Sequence, residues 1–184
     1  MKKPILIGGV SILLLLSVIV GVFVAQAPWV SAKGIHGKHK HTISKTTKLT
    51  QNLFALINRD RATQGLPAYH WNATLAKGAL AHSKKMAQPQ CGLSHQCPGE
   101  PDPCQRVTNE GIQWTTCGEN AGYTSPYPGA WAAIKTNIEQ GMLNEQPPND
   151  GHRRNLLSSV FQQVGVGICV DAKGIIWVTE DFTN

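Results

Sequence analysis

Apolar positions along the chain fall into three regimes. From Ile5 to Val24 they form one uncharged run behind Lys2 and Lys3. From Leu53 to Leu157 they recur at helical spacing: Leu53, Leu56 and Ile57, then Leu75, Ala79 and Met86 with His82 on the same stripe, then Trp131, Ile134, Ile138 and Met142. Gly65 stops the first of these helices, Asn72 offers an N-cap to the second, and Pro147-Pro148 ends the third. Leu156 and Leu157 predict a short fourth helix after the turn at Asn149-Asp150-Gly151. From Val164 the period changes. "VGVGICV" (164–170) and "IIWVTEDF" (175–182) are β-branched and aromatic, and Asp171 to Gly174 joins them as a hairpin. Helices followed by antiparallel strands predict an α+β fold, with helices covering the sheet. Between Gln88 and Tyr127 neither period holds, and Pro, Gly and Cys dominate, as in a long stapled loop.

The first apolar run divides the chain. Residues 1–32 read as an export signal or an uncleaved transmembrane anchor, since the run is long enough to span a bilayer. Ala25-Gln26-Ala27 and Val30-Ser31-Ala32 are candidate cleavage sites, the first hindered by Pro28. Residues 33–48, "KGIHGKHKHTISKTTK", read as a flexible basic His/Lys linker, and residues 49–184 as the folded domain. Charge follows the same division. The formal net charge is +6, but 7 of the 17 basic residues precede position 49 and all 11 acidic residues come after it. The domain itself is nearly neutral, so a nucleic-acid partner is not expected. The lysines of the linker suit anionic lipid or wall polymer.

Cys91, Cys97, Cys104 and Cys117 cluster in the long loop, while Cys169 lies in a predicted strand. No two of them have the Cys-x2-Cys spacing of a zinc ribbon. With an export segment present, disulfides among the first four are expected, in a pairing left open, and Cys169 is expected free.

Candidate chemistry sits at the margins of these segments. "GLSHQC" holds His95 between two cysteines, "CGENAGY" holds Glu119 behind Cys117, and "NDGHRRNLL" holds His152 just after a turn. In "MLNEQPP", Glu145 continues the seven-residue step of Trp131 and Ile138, at the end of that helix's inward stripe. Glu139 lies off the stripe and is the second choice for an acid there. "GLSHQ" approaches the Gly-x-Ser-x-Gly nucleophile elbow but lacks the last glycine and the strand-to-helix context.

Taken in order with "LFALINRDRATQGLPAYHW", "LAKGALAHSKKMA", "FQQVGVGICV" and "IIWVTEDF", these pieces make the chain from Leu49 to Phe182 resemble the CAP superfamily, also called the SCP-like or cysteine-rich secretory protein family. The resemblance implies a three-layer α-β-α sandwich with an antiparallel sheet and a central cleft. It also implies a tetrad of two histidines and two acids in the cleft, able to bind a divalent metal. Carried over by motif, the tetrad is His95, Glu119, Glu145 and His152. Many bacterial relatives have Asn-Ser-Pro-Gly-His where this chain has "NEQPPNDGH", so Glu145 rests on an unusual connection. Two imidazoles and two carboxylates balance a divalent charge, and mixed nitrogen and oxygen donors suit Zn2+ better than calcium or magnesium. The alternative is that the histidines are struts hydrogen-bonded to the carboxylates, with no metal. The resemblance implies an extracellular or membrane-anchored module binding a lipid, small-molecule, protein or cell-envelope ligand. A metal-dependent extracellular hydrolase, protease or wall-acting, is the alternative.

Overall fold

The computed structural model of the chain describes residues 36–184, with side chains from Thr46 onward. The N-terminal apolar run and the export or anchor role assigned to it lie outside these residues. Helix α1 (His36–Thr63) turns Leu53, Leu56 and Ile57 inward, as their spacing predicts. Its backbone is helical back to His36, so residue 49 is not a secondary-structure boundary. After β1 (His70–Trp71), helix α2 (Ala73–Met86) starts at the expected cap. The Asn72 side chain accepts from the N–H groups of Thr74 and Leu75, and Leu75, Ala79, His82 and Met86 are buried.

The stretch from Gln88 to Tyr127 is not all loop. It contains α3 (Pro103–Asn109), capped by Asp102, and the strand β2 (Cys117–Thr124). "CGENAGYT" is poor in the β-branched residues that announce a strand. Pairing imposes the conformation instead: β2 lies antiparallel to β4 along its whole length, from Cys117 opposite Thr183 to Thr124 opposite Ile176.

The third helix is interrupted. Alpha-helical turns α4 (Ala130–Ala133) and α5 (Gln140–Leu143) flank a π-helical segment, Ile134–Glu139. The wider π turn shifts the phase of the residues after it. Ile134, Ile138 and Met142 are buried as predicted, but Glu139 is buried with them. The chain ends with α6 (Gly151–Leu156) and the predicted hairpin of β3 (Gln163–Val170) and β4 (Ile176–Thr183).

The sheet order is β1-β3-β4-β2. It is antiparallel except for β1, which adds two residues parallel to β3. One face buries Val164, Val166, Ile168, Ile176, Val178 and Phe182 against Leu53, Ile57, Ile134, Ile138 and Leu156. The other face receives α2. A Cβ on Gly165 would fall 2.1 Å from the Ala76 nitrogen, and one on Gly167 would fall 2.1 Å from the Leu80 nitrogen. The alternation in "VGVG" therefore has a physical reading: valines fill one layer, and glycines let the α2 backbone rest directly on β3. The result is the α-β-α sandwich. No helix among the described residues is long and apolar enough to cross a membrane.

Gly167→Ala is expected to destabilise the domain by about 1–3 kcal/mol or more, because the helix must back away from the strand. Gly129→Ala, at an extended φ of 178° with nothing within 4 Å of the added methyl, is expected to stay within about 0.5 kcal/mol of the parent. Urea unfolding midpoints of the two variants check the contrast.

Candidate functional site at the β2 edge

The site forms where edge strand β2 meets the cysteine-tied insert on one side and α6 on the other. Cys91 pairs with Cys97 and Cys104 with Cys117, so all four candidate cysteines form disulfides, and Cys169 is free and half-buried. The first bond closes a small loop around His95. The second ties α3 to the start of β2. Both segments converge on Glu119, which is 8 % exposed. Its Oε1 lies 2.7 Å from His95 Nδ1, and its Oε2 accepts from Arg106 Nη2. Arg106 also donates to the carbonyls of His95 (2.8 Å) and Pro101 (3.2 Å). A buried carboxylate and a buried guanidinium are each costly alone and tolerable together. Asp181 lies directly opposite Glu119 on β4. Burial, and then Glu119, push its carboxyl well above the usual carboxylate range.

His152 arrives from the other side. Asn155 Nδ2 donates to the Glu119 carbonyl (3.2 Å) and to Asn120 Oδ1 (2.9 Å), and Asn120 Nδ2 donates to the His152 carbonyl (3.3 Å). These bonds hold α6 against β2. The carbonyls at the end of α6 are satisfied from α1 and the loop after it. Arg61 Nη1 donates to Leu156 O (2.8 Å), and Tyr69 Oη donates to Asn155 O (2.6 Å). At the start of α6, Glu145 Oε2 accepts from the backbone N–H of His152 (3.0 Å) and Arg153 (3.4 Å). Glu145 Oε1 lies 2.5 Å from His152 Nδ1. Arg153 donates to the Leu143 carbonyl at the end of α5, and Arg154 makes an exposed pair with Asp150.

His95, Glu119, Glu145 and His152 thus line one cavity of about 600 Å3, together with Asn149 and Asn155. The two imidazole rings are 6.4 Å apart and tilted by 35°. Each carboxylate is engaged by an Nδ1 and by a second donor, while neither Nε2 has a hydrogen-bond partner among the described residues. A carboxylate on Nδ1 with a free Nε2 is the arrangement in which histidines ligate metals. The residues therefore fit a divalent ion through two imidazole nitrogens, with the carboxylates orienting the rings.

Glu139, the second-choice acid, does not reach this cavity. It is fully buried with neither carboxyl oxygen hydrogen-bonded. Burial, reinforced by Glu180, pushes it up to about 9, and burial pushes Glu180 itself up to about 7. Ser94 Oγ is engaged with Gln96 and does not pair with a histidine. Arg106, Asn155 and Asp181 are not marked as site residues by any sequence pattern named above. Arg106 carried a signal: it is the only lysine or arginine between Gln88 and Tyr127, among four of the domain's acids.

The model of the cysteine-rich secretory protein family, CAP, matches residues 54–182. The chain belongs to the CAP family. This CAP domain is 28% identical over 137 residues to the uncharacterized protein YkwD of Bacillus subtilis, a match covering 74% of this chain and 48% of that one. Among solved structures it is similar to an extracellular SCP-domain protein of Bacillus anthracis, at 27% identity and a TM-score of 0.62, covering 76% of this chain and 41% of the other. An outer surface protein of Borrelia burgdorferi shares the fold, with 16% identity, a TM-score of 0.63 and coverage of 76% and 94%. The CAP domain here thus spans less than half the length of its two Bacillus relatives.

Two titrations test the site. The hydrogen bond from Glu119 raises His95 above the ordinary 6.5, against the opposing effect of burial. Since the folded value is the higher one, this bond stabilises the fold fully below about 6.5, and the contribution is lost as pH rises through the folded value. NMR titration is expected to place the His95 midpoint above 6.5, and Glu119→Gln to lower it. For Glu139 the direction is the same, but it shows as a growing penalty rather than a lost gain. A carboxyl raised from 4.5 to about 9 favours the folded state only while protonated, so it erodes stability as pH climbs between those values. Glu139→Gln is expected to raise the melting temperature at pH near 8 and to change it little near pH 4.

Proposed function

We propose that this CAP domain works outside the cytoplasm and binds a divalent metal ion, zinc by preference, through Nε2 of His95 and Nε2 of His152, presenting it to a polar ligand in the open cavity. The observation that carries this reading is the pair of carboxylate-oriented imidazoles facing one cavity with both Nε2 atoms unbonded. Two protein nitrogens leave coordination positions for water and ligand. The lining suits oxygen-rich ligands of the cell envelope better than an acyl chain, since it consists of His, Glu, Asn, Arg and one glycine. Export is supported by the Ile5–Val24 run, the two disulfides, and the extracellular and outer-surface character of the proteins with similar structures. A metal supplies Lewis acidity and a fixed positive charge when bound.

The hydrolase alternative has weaker support. A general base needs a free acceptor near the reacting proton, and both oxygens of each carboxylate are already engaged, Glu119 by His95 and Arg106, Glu145 by His152 and two backbone amides. The binding reading is tested by calorimetric titration of the oxidised protein with Zn2+. A single site is expected, abolished by His95→Ala and by His152→Ala. Glu145→Gln, which removes no Nε2 ligand but disturbs the orientation of the His152 ring and the acceptor for the first α6 amides, is expected to weaken it by about 10–100-fold. Zinc binding that survives both alanine variants, with circular dichroism unchanged, contradicts the assignment.

A further inference from the structure

Behind the cleft, on the α2 side, lies a second cluster of donors that the cleft does not use. His82 Nδ1 is 2.8 Å from Glu100 Oε2, and the Cys97 N–H donates to that same oxygen at 3.3 Å. One ligand atom each from His82, Cys97 and Glu100 lies within 4.8 Å of the others. Cys97 Sγ is now held in the bond to Cys91 and carries no free thiolate. We propose that reductive opening of the Cys91–Cys97 disulfide creates a thiolate-bearing metal site at His82, Cys97 and Glu100, which takes a zinc-class divalent ion. This proposal does not rest on the cleft reading.

Three features support the site. First, the donor set of thiolate, imidazole and carboxylate is one that zinc accepts in tetrahedral geometry. Cys91, freed in the same step, or a water completes the four. Second, the histidine is already oriented for it. His82 Nε2 lies 2.8 Å from the Ser94 carbonyl, which can only accept, so the proton sits on Nε2 and Nδ1 is the atom left for a metal. The ion would take the place of the contact between Nδ1 and Glu100. Third, the reduction has an accessible end. Cys97 is 2 % exposed, whereas Cys91 is only partly buried.

The chemistry balances with a dithiol as reductant. Its thiolate attacks Cys91 Sγ, and the S–S electron pair leaves on Cys97 Sγ, beside His82. The second thiol of the reductant then attacks the mixed disulfide and frees Cys91. The dithiol is oxidised by two electrons to its disulfide, and the protein gains two thiols. Metal binding displaces the thiol protons to solvent. Since His95 lies between Cys91 and Cys97, opening this bond also releases the loop that brings His95 to Glu119.

The test uses the exported full chain carrying Cys169→Ser, titrated anaerobically with Co2+ before and after treatment with dithiothreitol and its removal. A thiolate-to-cobalt charge-transfer band is expected only after reduction, saturating at one equivalent in the His95→Ala variant, where the cleft site is removed. It is expected to persist in Cys104→Ser/Cys117→Ser and in His95→Ala, which separates it from the other disulfide and from the cleft. It is expected to vanish in Cys97→Ser. Should that variant fail to fold, Glu100→Gln keeps both disulfides and is expected to weaken cobalt binding at least about tenfold. No band in the reduced protein, a band unaffected by Glu100→Gln, or a band lost in His95→Ala overturns the proposal.

Discussion

The structure of the site depends on one buried charge, the carboxylate of Glu119 on an edge strand. Edge strands usually leave their outer groups to solvent. Here the side chain is nearly covered, and the covering comes from partners that would otherwise have no reason to converge. Arg106 from α3 neutralises one oxygen, His95 takes the other, and Asn155 from α6 holds the backbone carbonyl. Removing any of them leaves a buried polar group unmatched, a cost of several kcal/mol for a charge. The two disulfides lower the entropic cost of this convergence, since they keep the loops that carry Arg106 and His95 closed in the unfolded chain as well.

The second histidine is held by a different device with the same outcome. Glu145 both accepts the first amides of α6 and fixes Nδ1 of His152. Each acid therefore has a structural task and an orienting task. This explains why the two imidazoles face the same cavity although they come from opposite sides of the strand. In the proposed site this leaves the imidazole Nε2 atoms as the ligands and the carboxylates as their supports.

Much of this was legible in the chain. The stripes Leu75-Ala79-His82-Met86 and Ile134-Ile138-Met142, the Asn72 cap and the 164–182 hairpin can be read from periodicity, because burial on one face fixes the spacing of apolar residues. Helical spacing pointed to Glu145, but the grouping of the four cleft residues came from resemblance to a family. Other features were hidden for physical reasons. β2 has a strand's conformation without a strand's composition, because β4 supplies its pairing partner. Glu139 is buried beside Ile138 at the end of a π-helical segment, and local spacing carries no mark of that segment. Arg106 required knowing that α3 folds back over Glu119, a contact set by tertiary structure alone.

In the proposed site the carboxylates orient the rings and the imidazole Nε2 atoms bind the metal. Diffraction at the zinc absorption edge from crystals soaked in Zn2+ tests this directly. One anomalous peak is expected at about 2.0–2.1 Å from Nε2 of both His95 and His152, with Glu119 still on His95 Nδ1 and Arg106, and Glu145 still on His152 Nδ1. A peak bonded to a Glu119 or Glu145 oxygen, with the corresponding ring turned away, would contradict it.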